Sequence, residues 1–109
     1  MLRLLGVLFL AAISLTVYAA SPRLASVTPE AGKAAGEFTA TGENLSKAEV
    51  AELYLTDGKN DIKLVVIEQA NESIKFKVPE SVKAGRYALM ILTADRKQFL
   101  EQPVKVTIE

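Results

Sequence analysis

The chain has 109 residues, enough for one domain, with 13 basic and 13 acidic residues and no cysteine or histidine. The absence of cysteine and histidine excludes disulfides, the usual zinc sites, and Ser-His-Asp or Cys-His nucleophiles. The charges alternate in sign without a basic stripe, so nucleic acid is not an expected partner.

An apolar stretch at the N-terminus has the layout of a secretory signal peptide. Arg3 supplies a positive start, residues 4–17 form a predominantly apolar run, and small residues follow it. Val17 and Ala19 fit the −3 and −1 positions of a cleavage site. We expect cleavage after Ala19, with Ala20 as the second choice, and therefore a secreted or periplasmic location.

A retained membrane anchor is the alternative interpretation of this stretch. The uncharged segment over residues 4–22 is at the short end for a membrane span, which needs about 20 apolar residues, and no basic cluster follows it. We therefore assign residues 1–20 to a signal peptide and residues 21–109 to the domain. No stable membrane insertion is expected after cleavage.

Short alternating apolar runs separated by turn residues predict about seven strands in the domain. These strands cover residues 24–28, 36–41, 51–55, 62–67, 74–78, 85–94 and 104–108. Asp57-Gly58 is the strongest hairpin signal, and Pro103 marks a bulge or the start of the last strand. The even spacing of strands and turns predicts an all-β Greek-key sandwich.

Two connections carry three further predictions. The tetrad Pro29-Glu-Ala-Gly32 predicts a turn after the first strand. In the loop after the second strand, Leu45 is expected to be buried as a plug. Ser46-Lys-Ala-Glu49 predicts a single helical turn, because a serine cap is followed by an acid three residues later.

The order and spacing of the turn residues resembles the IPT/TIG family of immunoglobulin-like domains over residues 24–108. The matching elements are Ser26-Val-Thr-Pro29, Gly32, Phe38 to Gly42, Gly42-Glu-Asn44-Leu45, Val78-Pro79 and Gly85-Arg-Tyr87. Many members carry two adjacent glycines where this chain has only Gly36, so that loop departs from the family pattern. The resemblance implies an immunoglobulin-like sandwich that serves as an interaction or structural module rather than as an enzyme.

The same resemblance implies structural roles for its marker residues. Gly32, Gly42 and Gly85 are expected where the backbone needs an unusual φ or close packing. Tyr87 is expected to be buried, with its hydroxyl hydrogen-bonded to the backbone.

No catalytic residue, cofactor or metal is expected. The acidic residues fall in turns or on solvent-facing strand positions, where acids are usually solvated. Asp57, Asn60 and Asp61 place three oxygen-bearing side chains in one loop, which makes a calcium site conceivable. The hairpin signal explains the same residues without a metal.

Five residues form the predicted partner-binding face. The third, fourth, sixth and seventh strands of an immunoglobulin-like sandwich commonly share a sheet. Alternation then turns outward the side chains of Tyr54, Val65, Ile67, Met90 and Leu92. An exposed apolar patch of this kind tends to mark a surface for a protein partner or for self-association. The alternative is that a loop covers these residues or that they lie half-buried, which implies no binding role.

Carbohydrate binding is the alternative function. Sandwich modules of exported proteins often bind glycans on exposed aromatic side chains. The chain has no tryptophan, and Phe38, Phe76 and Tyr87 are predicted to face the core. Tyr54 and Phe99 are therefore the candidate residues for a glycan platform.

Overall fold

A computed structural model describes residues 21–109 as an immunoglobulin-like sandwich of two β-sheets. The nine strands are β1 Arg23–Thr28, β2 Ala31–Gly32, β3 Glu37–Glu43, β4 Val50–Thr56, β5 Asp61–Lys63, β6 Val65–Gln69, β7 Ser73–Lys77, β8 Gly85–Thr93 and β9 Phe99–Ile108. The first sheet has the order β1-β3-β7-β6 and the second the order β2-β9-β8-β4-β5. The predicted fold class is confirmed, whereas the predicted signal peptide lies outside the described residues. Within this range no helix is long and apolar enough to cross a membrane.

Alternation on β7 shows how the sequence builds the core. Ile74 and Phe76 are fully buried, while Lys75 and Lys77 lie on the outer face of the first sheet. Phe76 lies opposite Phe38 in the β3–β7 ladder, and the two rings stack with centroids 5.7 Å apart. The prediction that both phenylalanines face the core is therefore confirmed.

Tyr87 is buried on β8, and its hydroxyl donates a hydrogen bond to the carbonyl oxygen of Lys83 at 2.7 Å. A buried phenol needs such a partner, because an unpaired hydroxyl in the core costs free energy. The predicted tie between this hydroxyl and the backbone is confirmed.

The loop between β3 and β4 matches its prediction. Leu45 is fully buried, and its amide donates to the carbonyl oxygen of Asn71 at 2.8 Å. Ser46 begins one helical turn, because its carbonyl accepts from the amides of Glu49 and Val50, each at 2.9 Å.

Two of the predicted glycines are required by close packing. A Cβ added to Gly42 would overlap the carbonyl oxygen of Arg23, because β1 and β3 approach each other closely at this point. A Cβ on Gly32 would lie 2.8 Å from the ring of Phe38, closer than real Cβ atoms come to another heavy atom.

The structure has an additional strand at β2 and a longer last strand than the sequence predicts. The predicted Pro29–Gly32 turn includes β2, which pairs in parallel with the end of β9 as the chain crosses to the second sheet. The last strand begins at Phe99 rather than at Val104. Pro103 lies in a bulge inside that strand, where the β8–β9 register shifts, so the bulge interpretation of this proline is the right one.

The predicted strand over residues 62–67 is two strands in different sheets. β5 pairs with β4 in the second sheet, and β6 pairs with β7 in the first. Leu64 lies at the corner between them, buried, with its amide donating to the carbonyl oxygen of Leu53 at 2.9 Å. The prediction of a single strand is wrong because both sheets face one core. A chain that changes sheets can keep the same alternation of inward and outward side chains.

Candidate functional site

The five residues of the predicted partner-binding face lie in two places. Tyr54, Met90 and Leu92 lie on the outer face of the second sheet, on β4 and β8. Val65 and Ile67 belong to β6, which forms an edge of the first sheet. The prediction that all five share one sheet is wrong, because the corner at Leu64 separates the two groups.

Met90 and Leu92 point outward yet are only 7% and 4% exposed. Their neighbours across the ladder are Tyr54 and Phe99, on the strands that flank β8. The strands of these two residues, β4 and β9, lie on either side of β8, and their backbones are about 10 Å apart. The ring centroids of Tyr54 and Phe99 are nevertheless only 5.6 Å apart. The rings therefore lean over β8 and cover both side chains, which removes Met90 and Leu92 from any exposed patch.

A carboxylate network borders this aromatic cover. Glu52 accepts a hydrogen bond from the Tyr54 hydroxyl and forms ion pairs with Lys63 at 2.9 Å and Arg96 at 3.2 Å. These contacts join β4, β5 and the β8–β9 turn. The hydrogen bond from Tyr54, followed by that from Lys63, lowers the pKa of Glu52 from 4.5 to about 2 despite the opposing effect of burial. The same hydrogen bond raises the pKa of the Tyr54 phenol.

The shifted pKa of Glu52 predicts a loss of stability in acid. A carboxyl group whose pKa is lower in the folded state stabilises the fold above its unfolded pKa, and this stabilisation is lost as the pH falls through the folded value. The contribution of Glu52 should therefore decline between pH 4.5 and about 2. Urea melts of the native protein and of Glu52→Gln should show free energies of unfolding that converge over this interval. A difference that stays constant down to pH 2 would contradict the network.

The exposed apolar residues of the predicted face lie on β6. Val65 is 55% exposed and Ile67 is 42% exposed. Beside them runs a groove of about 430 Å³ between β4 and β6, lined by Ala51, Glu52, Lys63, Leu64, Val65 and Val66. We call Val65, Val66 and Ile67, together with this groove, the β6 edge.

Tyr54 and Phe99, the candidate glycan residues, are brought into contact by the fold. Their rings meet edge to face, with an interplanar angle of 69°. Phe99 remains 56% exposed, whereas Tyr54 is half-buried. The pair thus presents one open ring beside the polar groups of Glu52 and Arg96, rather than a flat platform of two rings.

The loop considered for calcium is organised by its own backbone. One carboxylate oxygen of Asp57 accepts from the amides of Asn60 at 2.7 Å and Lys59 at 2.8 Å. These hydrogen bonds lower the pKa of Asp57. Gly58 supplies the left-handed backbone that the hairpin turn requires, with a φ of 94°. Within residues 21–109 no three acidic side chains converge in the manner of metal ligands.

Two glutamines missed by the sequence analysis connect separate parts of the sandwich. Gln102 is buried in the β9 bulge, where it accepts from the amide of Leu24 at 2.8 Å and so links the edge of β1 to the second sheet. Gln69 donates to the carbonyl oxygens of Leu45 at 2.8 Å and Val50 at 3.1 Å. Neither role has a signal in the alternation of apolar residues, because both glutamines satisfy backbone groups left free by irregular chain segments.

Comparison with known proteins adds no family to this description. The sequence matches no protein-family profile and shows no significant match to a curated protein. The fold agrees with the one that the IPT/TIG resemblance implies, but one fold serves many families and functions. Membership of the IPT/TIG family therefore stays a prediction that rests on the turn residues.

Proposed function

We propose that this chain is an exported, non-catalytic, IPT/TIG-like interaction module that binds a protein partner at the β6 edge. The observation that carries the proposal is the exposure of Val65 and Ile67 on one five-residue edge strand beside a groove. Burial of an aliphatic side chain contributes about 1.5–3 kcal/mol, so a partner that covers both residues gains a substantial part of its binding free energy there.

Charge around the β6 edge supports a selective surface. Lys77 lies opposite Val65 on β7, and Lys63 lies at the mouth of the groove with 62% of its side chain exposed. An apolar centre with a charged rim is the usual arrangement of a transient protein interface. Lys63 is already paired with Glu52, whereas Lys77 forms no ion pair within residues 21–109 and favours a partner that brings an acidic group to the rim.

The state of Glu52 supports a non-catalytic role. Three partners occupy its carboxylate, and its pKa of about 2 lies far from the value that suits a general acid or base near neutral pH. Its contacts instead hold together strands and a turn of the second sheet.

Carbohydrate binding is the second candidate function, favoured by the contact between Tyr54 and Phe99. The open ring of Phe99 offers an apolar surface to the CH face of a sugar, with Arg96 and Glu52 nearby for its hydroxyls. This site lies on the outer face of the second sheet and is therefore separable from the β6 edge by mutation.

An affinity capture with matched variants tests the proposed function. The protein is recovered from the organism that expresses it, where export predicts an intact mass that begins at Ala20 or Ser21, and is immobilised as bait for the same envelope fraction. We expect a specific protein to be retained by the native bait and lost with Ile67→Lys, because a lysine cannot replace the apolar contact. Phe99→Ala, on the other surface, should retain that protein.

Two outcomes would overturn this assignment. Capture that survives Ile67→Lys would show that the β6 edge is not the binding surface. Capture of a glycan-bearing species that is lost only with Phe99→Ala would favour carbohydrate binding. Both variants change exposed side chains, so circular dichroism should confirm that each is folded.

A further inference from the structure

We propose that a second copy of this chain binds at the β6 edge, with the two β6 strands antiparallel across a two-fold axis at Val66. The main-chain groups of Val66 would pair with those of Val66 in the second copy, and Val65 would lie opposite Ile67. The two first sheets would then join into one sheet of eight strands. This inference rests on the proposed function and names the occupant of the same surface.

The main-chain groups of Val66 point to the open edge. The Val78 amide donates to the carbonyl oxygen of Gly36, on the β3 side of the first sheet. The main-chain groups of every second residue point to the same side of a strand, so the N–H and C=O of Phe76 also point toward β3. Val66 lies opposite Phe76 and forms a pair that is not hydrogen-bonded to β7. Its N–H and C=O therefore face away from β7, and β6 has no other strand partner in the described chain.

A bulge restricts what can pair with this edge. The β6–β7 register shifts between Val66 and Glu68, so the next residue whose main chain faces outward is Gln69. A regular antiparallel partner forms hydrogen bonds with the main-chain groups of every second residue of an edge strand. On β6 the residues whose main chain faces outward, Val66 and Gln69, are three positions apart. Extended addition of an arbitrary strand is thus disfavoured, whereas a two-fold contact centred on Val66 needs only that one residue pair.

The exposed side chains are self-complementary in this register. Antiparallel pairing of Val66 with its own copy places each Val65 opposite Ile67 of the second copy, twice over by symmetry. These two are the large aliphatic side chains that the described residues leave exposed, at 55% and 42%. In the dimer, Val65 of each copy therefore covers Ile67 of the other. The adjacent groove leaves room for the second chain.

Charge complementarity supports the same register. Lys77 and Glu68 are both exposed, and neither forms an ion pair within residues 21–109. Lys77 lies opposite Val65 on β7, and Glu68 follows Ile67 on the outer face of the sheet. In the proposed dimer the α-carbons of Lys77 and of Glu68 in the second copy are about 10 Å apart, within reach of the two side chains.

A charge exchange measured by sedimentation velocity tests the dimer. Over a concentration series of the protein purified from the organism that expresses it, we expect the native protein to form dimers. Lys77→Glu alone and Glu68→Lys alone should each weaken self-association by about tenfold or more, because two like-charge contacts replace two attractive ones. An equimolar mixture of the two single variants should form heterodimers, since both contacts are then attractive again. Ile67→Lys should be monomeric. Phe99→Lys, which changes an exposed apolar residue on the second sheet, should dimerise like the native protein.

Three results of the sedimentation experiment would contradict the proposed dimer. A native protein that stays monomeric over the series overturns it, and so does a dimer that Ile67→Lys leaves intact. A mixture of the two charge variants that fails to restore association overturns the register. If Ile67→Lys does not fold, the charge exchange still decides. A monomeric native protein that nonetheless loses a captured partner with Ile67→Lys would reject self-association while supporting the proposed function.

Discussion

Replacing Phe76 with alanine is expected to cost about 3–5 kcal/mol of unfolding free energy, a large fraction of what a domain of this size has. Phe76 is completely buried on β7 and stacks on Phe38 across the ladder. The substitution removes the transfer free energy of the ring and leaves a cavity that a two-sheet core fills only in part. It also removes an aromatic contact of about 0.5–1.5 kcal/mol.

Urea melts at neutral pH, followed by circular dichroism, provide the measurement. Lys75→Ala is the matched control, because it lies next to Phe76 on the same strand but points away from the core. We expect the control to change the free energy of unfolding by about 0.5 kcal/mol or less. A loss below about 1 kcal/mol for Phe76→Ala would mean that the register of β7 is wrong.

Strand positions and core residues could be predicted because alternation is a direct consequence of burial on one face. On β7, lysines and apolar residues alternate without exception, and the structure buries the apolar ones. Leu45 could be predicted for a related reason, because a large apolar side chain in a loop can be covered only by the core. The burial of Tyr87 on β8 and its hydrogen bond to the backbone follow instead from the resemblance to the IPT/TIG family.

Sheet membership could not be predicted from the same pattern. Ile62, Leu64 and Val66 alternate as one strand would, yet the chain passes from the second sheet to the first at Leu64. Alternation reports whether a side chain points toward the core, and both sheets share that core. The change of sheet is visible only in the pairing of β5 with β4 and of β6 with β7.

Whether each residue of the predicted partner-binding face is exposed depends on contacts with residues that are distant in sequence. Met90 points outward as the alternation indicates, but its cover comes from Tyr54 and Phe99 on the two flanking strands. No local pattern contains that information. Val65 and Ile67 have no such cover, because β6 is an edge strand, so for these two the expected exposure is confirmed.

Met90→Glu and Ile67→Lys are expected to have opposite consequences for stability, although both residues point outward in the alternation. A carboxylate at position 90 would be enclosed by the rings of Tyr54 and Phe99 and would lie directly opposite Glu101 on β9. Loss of the buried thioether together with a poorly solvated charge should cost about 3 kcal/mol or more. A conservative Met90→Leu change should cost less than about 1.5 kcal/mol.

The free energies of unfolding of Met90→Glu and Ile67→Lys, measured side by side in urea, test most directly whether β6 rather than the outer face of the second sheet carries the exposed surface. The structure predicts that Ile67→Lys stays within about 1 kcal/mol of the native protein. It predicts that Met90→Glu is unfolded or severely destabilised. Equal tolerance of both changes would show that Met90 is exposed after all. Collapse of the Ile67→Lys variant would show that β6 is buried and would contradict the assignment of the binding surface to the β6 edge, whereas equal tolerance would contradict only the exclusion of Met90 from the exposed surface.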